Sequence, residues 1–345
     1  MQSPSLTYKN LKSHKKLNLA FKLLIATLLF YVIYRQIFAR ENAAELFANF
    51  KVQLREGNIL YLIVCIILMP INWLLESKKW QTLSKNFEPQ NLSDSIKTVL
   101  GGVVCSLFSP ARIGEYGGRV LFVKSENNWK AVTATMVGSV SQLAVVLSIG
   151  SLGLIGWLDY YAVSNRFSLI ALIVLWFCFT LLGLGVYYHI DLFINILRRV
   201  KLFNRFKSFY EGLSVLKEYQ QSDLTKTLGY SFIRYMVYST QYLLLLLFFG
   251  INIGLFASFS GISAIFFIQT GVPLPPIWDL FARGEVAIQI WGIYGANELS
   301  ILAATFTLWA INLILPSLLG LIFIVKINII KSIGYGKENN SNHSA

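Results

Sequence analysis

The chain has little of what most enzymes rely on. Its 345 residues include three histidines, His14, His189 and His343, two of them in the polar ends. No HExxH run and no Ser-His-Asp arrangement can be built from them, and no P-loop is present. We therefore expect neither an enzyme nor a nucleotide-driven pump; any pumping would draw on ion gradients, the membrane potential or downhill lipid flow. The three cysteines, Cys65, Cys105 and Cys178, lie far apart, within or beside apolar runs. They read as small hydrophobes rather than as a disulfide framework or a metal site, and no cofactor is expected. Charge is scarce too. Only 14% of residues are charged and 55% are hydrophobic, a balance that excludes an ordinary soluble protein of this length.

What is present instead is a series of apolar runs. Each membrane crossing needs roughly 20 apolar residues, and six stretches qualify: 17–38, 58–75, 131–157, 167–188, 228–250 and 299–325. The expected fold is an all-α polytopic integral membrane protein. The basic region before the first run suggests a signal peptide, but the run is too long and lacks a small-residue cleavage site, so it reads as an uncleaved anchor.

A net charge of +13 does not imply nucleic acid, because the basic residues cluster at the ends of the apolar runs. Topology accounts for them. Lys9, Lys12, Lys15 and Lys16 precede the first run, and Arg198, Arg199, Lys201, Arg205 and Lys207 follow the fourth. The positive-inside rule then places the N-terminus, that loop and the tail with Lys326, Lys331 and Lys337 in the cytoplasm, in a cytoplasmic (inner) membrane. The insertion 191–226 interleaves Leu197, Phe203, Phe206 and Phe209 with basic side chains, as a segment lying on an anionic leaflet would.

Two more apolar stretches, 95–123 and 256–296, are interrupted near their middles by "FSPAR" and "TGVPLPP". Proline removes a backbone donor and disfavours helix in the residue before it. Ser109-Pro110 and the trio Pro273, Pro275 and Pro276 are therefore expected to end one short helix and begin another, with Ser109 as N-cap and Pro110 at the first helical position. Lys78, Lys79 and Lys85 before the first stretch and Lys124 and Lys130 after it put both its flanks inside. The second stretch has almost no positive flanking charge. The first is thus expected to be a re-entrant hairpin from the cytoplasm and the second one from outside. Residues 1–160 and 161–326 would then be inverted repeats, each of two spans, a hairpin and a span, followed by a polar tail, 327–345.

The hairpins carry related charges: Arg112, Gly114, Glu115 and Arg119 in the first, Arg283 and Glu285 in the second. An ionised side chain at membrane depth costs about 2.5–3.5 kcal/mol on insertion scales and is rarely left facing lipid. Arg112, Glu115 and Arg119 would share a helix face. They would either pair to hold the hairpin together or, with the positive ends of the broken helices, hold a phosphate or carboxylate. Arg234, Gln142 and Asn312 are the further polar candidates within spans. Arg234 lies near a span end, from which it could reach the interface. Thr135, Gly138 and Ser139, on the Gln142 stripe, fit close helix packing better than a substrate role.

At "SPARIGEYGGRVLF" the sequence resembles the Pro-x-Arg-x-Gly-Glu pattern, followed by an arginine and a hydrophobic pair, of the lysylphosphatidylglycerol synthase transmembrane-region family. "VPLPPIWDLFARGEVAI" looks like that family's second motif, and the order of spans matches over nearly the whole chain. The resemblance implies a polytopic fold and, because this region is the flippase of the two-domain synthases, lipid movement between leaflets. It carries over Pro110, Arg112, Gly114, Glu115 and Arg119, and also Arg283 and Glu285. The chain departs from the pattern at "VGSVSQ", where members commonly have a Glu-Arg pair, and at "IWDLFARG", which replaces a glycine run. The expectation is a stand-alone member without the aminoacyl-transferase domain. It would move an anionic or zwitterionic lipid or a lipid-linked intermediate, with membrane lipids as partners. A homo-oligomer, an envelope-biogenesis enzyme as partner, and a non-transporting lipid-binding scaffold remain open alternatives.

Overall fold

A computed structural model describes residues 4–37, 43–161, 166–190, 212–271, 274 and 276–332. Among them every regular element is helical. In chain order these are α1 (Pro4–Ile37), α2 (Ala43–Glu56), α3 (Ile59–Ser84), α4 (Leu92–Ser106), α5 (Gly114–Val120), α6 (Asn128–Tyr161) and α7 (Arg166–Tyr188). They continue with α8 (Gln221–Phe248), α9 (Leu255–Thr270), α10 (Pro276–Gly292), α11 (Glu298–Trp309), α12 (Leu315–Lys326) and the short α13 (Ile329–Ser332). Residues 191–211 of the polar insertion, Pro273, Pro275 and residues 333–345 of the tail lie outside the described residues.

Among the described residues five helices are long and apolar enough to cross a membrane: Lys16–Arg35, Ile59–Ser84, Ser125–Asp159, Arg166–Tyr188 and Glu298–Lys326. The remaining expected span, 228–250, coincides with α8, whose 28 residues are long enough but not uniformly apolar. Asp223, Thr227, Ser231, Ser239 and Gln241 are buried on it. A helix that turns polar groups into the protein loses average hydropathy without gaining exposure to water. α7 is the opposite case. It buries only Tyr187, so nearly all its apolar surface is left for lipid.

Local chemistry sets the helix ends. Asn58, Asn91 and Asn297 each accept a hydrogen bond from a backbone N–H in the first turn that follows, at 3.1, 2.8 and 3.2 Å. Each satisfies a donor the helix cannot. Gln220 and Asp223 form a capping box at the start of α8. The last span is not one regular helix. A π-helical turn, Ala310–Ile314, joins α11 to α12, where Pro316 has no N–H to donate back to residue 312.

Both interrupted stretches fold as two helices joined by a break. α4 leads through a 3-10 turn, Pro110–Arg112, into α5, and α9 stops at Thr270 before α10 opens at Pro276. Ser109 is extended, as an N-cap should be, but its hydroxyl does not cap the 3-10 turn. It accepts from the Gly114 N–H at 2.6 Å and so starts α5. Gly114 and Gly118 let the limbs touch backbone to backbone. A Cβ would lie 2.0 Å from the Cys105 carbonyl oxygen at Gly114 and 2.6 Å from that of Gly101 at Gly118. Inside a bilayer, where lipid competes equally for apolar surface, such close approach is what holds helices together. α4 also packs on α12, α9 on α6, and α8 along α3.

Candidate functional site

A cavity of about 480 Å³ lies among α3, both hairpins, α6, α8 and the π turn. Ser109, Arg112 and Glu115 reach it from the first hairpin, Gln269 and Arg283 from the second, Gln142 from α6, Arg234 from α8 and Asn312 from the π turn. Pro110 is exposed at the hairpin tip. Glu285 lies elsewhere: it is exposed and accepts from the Gln289 side chain one turn later, at 3.1 Å.

At the centre is a residue that sequence reasoning assigned to a cytoplasmic flank. Glu76 is 4% exposed and receives three cations. Lys79 and Arg234 meet its Oε2 at 2.7 and 2.6 Å, and Arg119 meets Oε1 at 2.7 Å. Arg119 also pairs with Glu115, whose other oxygen lies 3.5 Å from Arg112. The six side chains form one continuous ion-pair network of four cations and two carboxylates. Charges this deep are tolerable only when paired and hydrogen-bonded, and the surrounding polar groups help. Arg234 Nε donates to Asn72 at 2.8 Å, Asn72 donates to Asn312 at 3.0 Å, and Lys79 donates to the Gly138 carbonyl at 3.2 Å.

The expected flank is thus helix interior. α3 continues to Ser84, and of the three lysines read as a topological signal Lys79 is buried at 2% exposure. Arg234 does not reach for the interface; it points inward and stacks its guanidinium 4.9 Å above the Trp73 ring. Arg119 lies 5.1 Å from the Trp80 ring centroid. These stacks use the affinity of a desolvated guanidinium for an aromatic face. A signal for Glu76 was present in the sequence. Asn72, Glu76 and Lys79 follow at i, i+4 and i+7, one helix face, and Trp80 extends the apolar character past residue 75.

The arginines are not equivalent. Arg119 is 2% exposed and locked between two carboxylates. Arg112 is 49% exposed, loosely paired, and the one non-glycine residue with positive φ among those described, at 58°. That left-handed backbone costs roughly 1–2 kcal/mol and persists only where the surroundings enforce it. Arg283 donates to Gln269 at 2.9 Å from the opposite hairpin. Two further features mark the network as incompletely satisfied by the protein: Gln142 Oε1 and Arg119 Nε and Nη1 are buried without a hydrogen-bond partner, and such groups call for a ligand or water. No cluster of metal-ligating side chains occurs among the described residues.

Residues 19–320 match the family model described as the lysylphosphatidylglycerol synthase TM region. No curated protein and no solved structure matches the chain.

Proposed function

Because the chain belongs to the lysylphosphatidylglycerol synthase TM region family, a multi-pass membrane family with a lipid-related role, we propose that it is a flippase-like lipid translocator. The headgroup of an anionic or zwitterionic phospholipid, or of a lipid-linked intermediate, enters the cavity while its acyl chains stay in the bilayer. The observation that carries this reading is a cavity lined from both hairpins by arginines, Arg112 from the first and Arg283 from the second. Guanidinium groups match phosphate oxygens in geometry and charge, and broken helices at such a site are the usual architecture of membrane transport. No catalytic residue and no cofactor enters this mechanism. The residues of the chain bind and orient the headgroup and shield it from the hydrocarbon.

In this reading the chain has six spans, with α8 the sixth, in two inverted repeats, 1–160 and 161–326. The first hairpin dips in from the cytoplasm and the second from outside, in the inner membrane, with both termini cytoplasmic. The cross-packing supports it: the first hairpin rests on the last helix of the second half and the second hairpin on the last long helix of the first half. Partners are membrane lipids, together with a second copy or an envelope-biogenesis enzyme.

Purified protein in vesicles should accelerate exchange of fluorescent lipids between leaflets. Arg112→Glu should abolish this while the protein still folds, because Arg112 is half exposed and only loosely paired. Exchange no faster than in empty vesicles, across several headgroups, would overturn the proposal. A changed set of co-purifying proteins in Arg112→Glu, with lipid exchange unaltered, would favour a scaffold instead.

A further inference from the structure

The network's charge does not balance. Lys79, Arg112, Arg119 and Arg234 contribute four positive charges, while Glu76 and Glu115 contribute two negative ones. Among the described residues that line the cavity no other carboxylate occurs, and Arg283 lines it from the second hairpin. A surplus of two positive charges remains, without counting Arg283; Lys79, Arg119 and Arg234 sit where the surroundings give little solvation, and Arg112, 49% exposed, is the cation left facing outward from the network. No described side chain at the cavity supplies the anionic complement of that surplus.

Resting on the proposed translocation, we infer that the site selects lipids whose headgroup ends in a phosphomonoester or diphosphate, with at least two negative charges, over phosphodiester headgroups. A phosphodiester brings one negative charge and leaves half of the surplus unmatched. A phosphomonoester has a second pKa of about 6, so it is dianionic at neutral pH and beside arginines, and it closes the balance. Its three terminal oxygens can also accept from several donors at once. Arg112 is the donor best placed to meet it, since it is exposed to the cavity and its pairing to Glu115 is long, at 3.5 Å. A zwitterionic headgroup adds no net charge, and an aminoacylated one brings an ammonium to a site already cationic. Both should be disfavoured.

The test uses vesicles of neutral lipid containing the purified full chain and a trace of one fluorescent lipid at a time: phosphatidic acid, phosphatidylglycerol, phosphatidylcholine or lysylated phosphatidylglycerol. Phosphatidic acid should exchange about tenfold faster than phosphatidylglycerol, the scale of one additional charge-assisted contact, and the lysylated lipid slowest. Arg112→Gln, which removes one surplus charge and leaves the Glu76 contacts in place, should shrink that preference several-fold. Equal rates for all four lipids, or fastest movement of the lysylated one, would overturn the charge assignment while leaving lipid translocation intact. If no lipid moves, both fall. Entry of soluble pyrophosphate into the vesicles above the empty-vesicle rate would overturn the lipid assignment in favour of free phosphate.

Discussion

The two hairpins carry nearly the same letters but use them differently. In the first, Arg112 and Glu115 are three apart; in the second, Arg283 and Glu285 are two apart. On a helix, residues three or four apart share a face and residues two apart do not: Glu115 shares the α5 face of Arg119, Arg283 and Glu285 on α10 diverge, and Arg112 lies before α5 in left-handed backbone. Glu115 accordingly turns into the cavity and joins the Glu76 network, whereas Glu285 turns out and pairs with Gln289 on its own helix. The second limbs also differ in length, seven residues in α5 against 17 in α10. The first hairpin has a second arginine, Arg119, one turn after its glutamate and builds that pair into the core; the second offers the cavity a guanidinium beside the Gln269 amide. Under the proposed function the first hairpin would serve both structure and ligand, and the second mainly the ligand.

The comparison breaks hardest at Glu76. Glu76→Ala would leave Lys79, Arg119 and Arg234 facing one another without the carboxylate that joins them. Removing one partner from a buried ion pair costs about 3–5 kcal/mol, so the variant should show a strongly lowered melting temperature in detergent. Glu76→Gln keeps the shape and loses the charge, and should lie between the two. A wild-type melting curve for Glu76→Ala would mean that the first hairpin is held by helix packing alone.

A smaller structural effect and a larger functional one are expected at Arg283. Its hydrogen bond with Gln269 joins the two limbs of the second hairpin, and losing that bond in Arg283→Gln should cost about 1.5–3 kcal/mol, less than the loss at Glu76. Lipid exchange, however, should fall well below wild type because one wall of the cavity loses its cation. Stability losses matching those of Glu76→Ala would show that both hairpins anchor the fold equally.

Most of the architecture could be read from composition, because apolar runs of membrane length and proline breaks leave strong local marks. The breaks at Pro110 and before Pro276 fall where the sequence puts them. Arg112, Glu115, Gln142, Arg234, Arg283 and Asn312 all line one cavity. Glu76 and Lys79 escaped because hydropathy averages around a helix. A charged face that packs inward against another helix looks, in the average, like the end of a span. The same averaging sets α8 apart from the five apolar helices. Glu285 shows the converse, a motif letter whose side chain depends on a spacing that the motif itself obscures. The ion-pair network joins α3 to α5 and α8, across more than a hundred residues of chain, and no local pattern announces such pairs.

The finest test of the difference between the hairpins is Glu285→Gln. The residue is exposed and its hydrogen bond goes to an exposed neighbour one turn away, the kind of surface pair that contributes at most about 0.5 kcal/mol. Melting temperature and lipid exchange should both match wild type within error. The equivalent change in the first hairpin, Glu115→Gln, removes a carboxylate that pairs with Arg119 and Arg112; it should lower stability and raise retention of anionic lipid during purification. If the two substitutions behaved alike, the second arginine of the first hairpin, one turn after its glutamate, would have no consequence. The functional asymmetry between the hairpins would then have to rest on Arg283 alone.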